Sequence, residues 1–106
     1  MMKVGFCDSR TQRLFNDHER LEARYGAELA IRIATRMAML VTAKNLSVLP
    51  IRAPISFQAI GGKPDHFSVD LGAHYCLRFV GLDGRVRHRK ADKLRNIDEI
   101  EVIGVE

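Results

Sequence analysis

His66-Phe67-Ser68-Val69-Asp70-Leu71, the turn Gly72-Ala73-His74, and then Tyr75-Cys76-Leu77-Arg78-Phe79 decide how this chain folds. Side chains of a strand alternate between the two faces of its sheet. Phe67, Val69 and Leu71 therefore share one face, and His66, Ser68 and Asp70 the other. After the turn, Tyr75, Leu77 and Phe79 share a face, with Cys76 and Arg78 opposite. Two alternating runs joined by a tight turn read as an antiparallel hairpin with one apolar face.

On the C-terminal side, Gly81-Leu82-Asp83-Gly84 is turn chemistry, and a basic segment follows. Ile97 to Val105 reads as a last strand, with Ile100, Val102 and Gly104 on one face and Ile97, Glu101, Ile103 and Val105 on the other. On the N-terminal side, Gly61-Gly62-Lys63-Pro64-Asp65 is a turn, and Ser56 to Ile60 is a candidate strand before it. Asn45 to Phe57 has no helical period and carries Pro50 and Pro54, so it reads as a loop or edge segment.

Further upstream the period changes from two to between three and four. Ala30, Ile33, Met37, Leu40 and Val41 form the apolar stripe of a helix, with Arg32 and Arg36 on its other side. Leu14, Phe15, Leu21 and Tyr25 mark an earlier helical stretch from about Thr11 to Tyr25, ended by Gly26. Asp8 and Ser9 are able to cap it. Val4 and Phe6 in Lys3 to Cys7 make a first strand, which must cross back past the helices to join the others. The expected fold is a single α+β domain spanning residues 1–106. Two N-terminal helices pack on one face of a curved, mainly antiparallel sheet. Ile33, Met37, Leu40, Val69, Leu71, Tyr75, Leu77 and Phe79 are its expected core.

Composition narrows the function. Of the 106 residues, 46% are hydrophobic and 28% charged, as in an ordinary globular protein. No run is long and apolar enough for a membrane span, and the N-terminus has no secretory-signal pattern, so the expected location is cytoplasmic. Cys7 and Cys76 are too few for a disulfide framework and read as reduced thiols. His18, His66, His74 and His88 are scattered, and no metal or other cofactor is expected. The net charge of +4 is unevenly spread. Arg85, Arg87, Arg89, Lys90, Lys93 and Arg95 face one acid, Asp92, whereas Asp98, Glu99, Glu101 and Glu106 follow. Such a cluster suits phosphate binding or is a solvated charged loop.

Three side chains stand out within the folded part. Arg78 is a lone cation in a strand of core residues; it either meets a ligand or snorkels over an open sheet face. Asp70 holds the matching strand position and is its candidate partner. Lys63 sits in a Gly-Pro turn next to Asp65 and His66, which is either a phosphate-binding loop with His66 as proton carrier or a plain hairpin tip.

Several stretches, in this order and spacing, resemble the HigB-like (proteic killer) branch of the RelE/ParE toxin superfamily. They are Leu21-Glu22-Ala23-Arg24-Tyr25-Gly26-Ala27 running into Ile33 and Arg36, Ala43-Lys44-Asn45-Leu46-Ser47-Val48-Leu49, Gly61 through Leu71 with its turn and the strand Phe67-Ser68-Val69-Asp70-Leu71, and Tyr75-Cys76-Leu77-Arg78-Phe79. The resemblance implies the toxin of a type II toxin–antitoxin system, acting as a ribosome-dependent, metal-independent mRNA endonuclease. Its implied partners are a cognate antitoxin, often of helix-turn-helix type, and the ribosome with its mRNA. It implies catalytic roles for Arg78, Lys63 and His66, and RNA attraction by Arg85, Arg87, Arg89, Lys90 and Lys93. The family's turn lysine falls on Ile60 and a strand arginine on Cys76, and its acidic, aromatic and histidine ending has no counterpart after Val105-Glu106. The alternative is therefore a non-catalytic module of the same fold: an antitoxin partner or a ParE-like inhibitor.

Overall fold

The computed structural model describes residues 1–82 and 93–106. The strands are β1 (Lys3–Phe6), β2 (Gln58–Ala59), β3 (His66–Gly72), β4 (Tyr75–Gly81) and β5 (Glu99–Val105). The helices are α1 (Ser9–Phe15), α2 (His18–Tyr25), α3 (Ala27–Thr42) and a short α4 (Lys93–Asn96). The domain is α+β, with a mixed five-stranded sheet in the order β1-β5-β4-β3-β2. β1 runs parallel to β5, with Lys3 beside Glu99 and Phe6 beside Val102. The other three pairings are antiparallel.

The hairpin of β3 and β4 forms as its alternation predicts. Phe67 lies opposite Phe79, and Val69 opposite Leu77, all on the buried face. Leu71 is an extra residue on β3, because Asp70 pairs with Cys76 and Gly72 with Tyr75. A bulge of this kind leaves backbone groups outside the ladder. The Leu71 carbonyl accepts from Arg32 Nη1 at 3.2 Å, and the Asp70 carbonyl from Arg36 Nε at 2.8 Å. The two α3 arginines thus satisfy strand carbonyls that β2 is too short to reach. Tyr75 is 43% exposed, against expectation. It follows the turn at the end of the sheet, and its cross-strand neighbour Gly72 offers no side chain to pack on.

A second bulge changes the last strand. Phe79 pairs with Val102 and Arg78 with Gly104, so Ile103 is the extra residue. The alternation is shifted by one beyond it. Val105, predicted on the far face, lies opposite Leu77 and packs against the core.

The helical stretch predicted from Thr11 to Tyr25 is two helices. Asp8 caps α1, its carboxylate accepting from Thr11 N at 2.7 Å. Asp17 caps α2, accepting from Glu19 N at 3.1 Å and Arg20 N at 3.3 Å. An aspartate that bonds orphan amides starts a helix better than it continues one. The Asp8 carboxyl is held below the usual carboxylate range, chiefly by the Thr11 amide. α3 follows Gly26, whose φ of 90° breaks the chain path after α2. Leu29, Ala30, Ile33 and Leu40 of α3 are buried, and Met37 is half-buried beside them.

The proline-containing segment between α3 and β2 supplies core residues that no period announces. Leu46, Leu49 and Phe57 are buried. Phe57, Phe67 and Phe79 stack with ring centroids 5.5 to 6.3 Å apart. Offset aromatic contacts of this kind add to area burial.

Two stability measurements follow. Phe79→Ala should cost about 3–5 kcal/mol in urea unfolding, as expected for a truncated core aromatic, whereas exposed Tyr75→Ala should cost about 1 kcal/mol or less. Ala73 and His74 both have positive φ, 51° and 68°, as a two-residue hairpin turn demands. Ala73→Asn with His74→Gly should therefore raise the unfolding free energy by about 1 kcal/mol, because residues without that freedom carry a left-handed penalty.

Candidate functional site

The sheet face turned away from the core carries the polar residues of the central strands. Register sets their neighbours: Ser68 lies opposite Arg78, His66 opposite Val80, and Asp70 opposite Cys76. Arg78 in turn lies beside Gly104, and Val80 beside Glu101. His66 and Arg78 are thus diagonal neighbours on one face, a spacing of roughly 7–8 Å that long side chains can cover.

The turn before β3 is closed by its own backbone. Ile60 N donates to the His66 carbonyl at 2.9 Å, and His66 N to the Lys63 carbonyl at 3.3 Å. Gly62 and Asp65 take positive φ, 78° and 65°, which lets the loop double back. The Asp65 carbonyl accepts from Gly81 N at 2.8 Å and ties the turn to the end of β4. Exposed Lys63 and half-buried His66 line one groove of about 610 Å³, with Ile60, Phe67 and Leu94 as apolar wall. His66 Nδ1 is buried and has no hydrogen-bond partner among the described residues.

Arg78 is held differently from the sequence expectation. Its partner is Glu106, with Nη1 2.5 Å from Oε2, and not Asp70. Asp70 instead accepts from Gly72 N at 3.2 Å and steadies the bulged end of β3. The Arg78 side chain is only 13% exposed, and its buried Nε has no partner among the described residues. Glu106, 28 residues away in sequence, reaches Arg78 because its backbone pairs with Cys76 on β4. Nothing in the local sequence pattern marks that pairing.

The structure therefore brings Lys63 and His66 together and sets Arg78 one diagonal step along the same face. Arg85, Arg87, Arg89 and Lys90 lie outside the described residues, and Lys93 begins α4. Among the described residues, no group of three His, Cys, Asp or Glu side chains is placed to hold a metal ion. No helix among them is long and apolar enough to cross a membrane.

The two thiols differ. Burial pushes the Cys76 thiol up, and the Glu106 carboxylate pushes it further, with Arg78 opposing. Cys7 is exposed at the end of β1. A thiol reacts as its thiolate. Iodoacetamide at neutral pH should accordingly label Cys7 well before Cys76, and Cys76 labelling should rise only as pH passes above the usual thiol range. Peptide mass spectrometry over a pH series reads both rates; equal labelling at neutral pH would contradict the burial of Cys76.

No protein-family model matches the chain, and no curated protein and no solved structure matches it.

Proposed function

We propose that the chain is the toxin of a type II toxin–antitoxin pair, a cytoplasmic RelE/ParE-like protein of the HigB-like branch that cuts mRNA on the ribosome without a metal. The observation that carries this reading is the shared groove of Lys63 and His66, with Arg78 on the same sheet face. A cation, a group able to move protons, and a second buried cation are what ribose-assisted phosphate cleavage needs. The ribose 2′ oxygen attacks the adjacent phosphorus, the 5′ oxygen leaves, one proton departs from the first and one arrives on the second. Lys63 binds a phosphate oxygen at the exposed turn. His66 carries a proton between the attacking and leaving oxygens, as an imidazole both accepts and donates one. Arg78 stabilises charge as it develops. Arg85, Arg87, Arg89, Lys90 and Lys93 attract RNA and ribosome, and a helix-turn-helix antitoxin is the partner.

One observation favours a second reading. The Arg78 charge is already matched by Glu106, as in a fold that keeps its arginine for structure. That reading is a non-catalytic toxin-fold module, an antitoxin partner or a ParE-like inhibitor.

Primer extension on mRNA in a translating extract separates the two. Wild type should produce discrete cuts, and His66→Ala should slow them by about 10²–10⁴-fold as a lost proton carrier. Arg78→Ala should slow them by about a hundredfold or more, with circular dichroism unchanged. Full cleavage by Arg78→Ala removes the catalytic assignment, and no cleavage by wild type leaves the non-catalytic module.

A further inference from the structure

The first and last strands of the chain differ in length: β1 has four residues and β5 seven. Their pairing stops at Phe6 and Val102, and the next backbone bond, Cys7 N to the Val102 carbonyl at 3.1 Å, is the last between them. Glu106 exchanges both of its backbone hydrogen bonds with Cys76, at 2.8 and 2.9 Å. In an antiparallel ladder the adjacent residue turns its own N–H and C=O the other way. The N–H and C=O of Val105 therefore point away from β4, and among the described residues neither meets a partner. An open stretch of strand edge is a template for another chain.

Beside this edge lies a cleft of about 460 Å³ between α1, α2 and the end of β5. Leu14, Phe15 and Val105 give it an apolar floor, and Arg10, Arg20 and Arg24 stand around it. No carboxylate lines it among the described residues. Arg20 shares Asp17 of the α2 cap at 3.3 Å, and Arg24 lies 5.7 Å over the Tyr25 ring. A guanidinium has five N–H donors, so both arginines keep donors to offer.

We infer that this cleft binds an extended acidic peptide. Its backbone adds a short strand to the outer edge of β5 at Val105, and its carboxylates meet Arg10, Arg20 and Arg24. Strand addition uses main-chain hydrogen bonds for affinity and alternate side chains for selectivity. One face of the added strand would meet Leu14 and Phe15, and the guanidinium forks match carboxylates in geometry as well as charge. A nucleic-acid backbone would use the arginines alone and leave the strand edge and apolar floor unused. The inference goes beyond the reading of the Lys63 groove and the polar sheet face and shares no residue with Lys63, His66 or Arg78, so each can fail without the other.

The test is fluorescence anisotropy with full-length protein and short labelled peptides of alternating valine and glutamate, or valine and lysine. The glutamate peptide should bind and the lysine peptide should not. Arg10→Ala with Arg24→Ala should weaken binding by about tenfold or more, since bonds to charged groups are lost, and should flatten its salt dependence. Val105→Pro removes an outward N–H and no bond to β4, a change edge strands tolerate; it should weaken binding comparably. N-methylating alternate amides of the peptide tests the same bonds without altering the protein, and one of the two methylation patterns should abolish binding. The inference is overturned if wild type does not bind the glutamate peptide. It is equally overturned if Val105→Pro and both methylated peptides bind as well as their parents, which marks a plain anion site that short RNA would also fill. Gel filtration showing that wild type self-associates through this edge, with Val105→Pro monomeric, would assign it to a second copy and overturn the inference as well.

Discussion

The parallel pairing of the first strand with the last constrains everything between them. Val4 beside Ile100 and Phe6 beside Val102 join the two extremes of the chain. Met2 N bonds the Ala43 carbonyl and Lys3 N the Asp98 carbonyl, both at 2.9 Å, so the end of α3 and the start of β5 are fixed to the same strand. Closing so long a loop costs chain entropy that grows only slowly with length. It is offset by burial: Ile100 and Val102 are inaccessible to solvent, beneath helices that must cross the sheet to return the chain to β2. With β1 outside it, β5 becomes an inner strand, and β4 and β3 follow by hairpin.

The same strand sets the chemistry of both candidate surfaces. On the polar face of the central strands, β5 brings Glu106 to Arg78 and so decides how much of that cation is available to a ligand. At the outer edge, β5 outlasts β1, which exposes the backbone of Val105 beside the arginines of α1 and α2. The bulge at Ile103 couples the two. It turns Val105 into the core and leaves Gly104, which has no side chain, as the cross-strand neighbour of the largely buried Arg78.

Sequence pattern carried the hairpin, the buried stripe of α3 and the α+β class, because in each the period repeats over several residues. It missed features set by single residues or distant contacts. Asn16-Asp17 divides one helical stretch into two, since a capping aspartate outweighs a continuous apolar stripe. Leu46, Leu49 and Phe57 enter the core from a segment without period. The bulges at Leu71 and Ile103 each shift the pairing register by one residue, and no local residue type demanded either. For the site, the turn chemistry around Lys63 and the isolation of Arg78 were legible, but the identity of the arginine's partner was not. Asp70 is the nearer acid by strand position, yet it turns to the amide of Gly72, while Glu106 arrives through the pairing of β5 with β4.

The claim that the groove by the β3 turn and its neighbouring sheet face meet an RNA backbone is tested most directly by titrating isotope-labelled protein with a short single-stranded RNA and following backbone amide shifts. The expected result is a set of perturbed amides confined to residues 60–67 and to Arg78 and its neighbours, diminishing as salt is raised. Unchanged amides at Lys63, His66 and Arg78 at saturating RNA, or shifts only elsewhere on the domain, would contradict it.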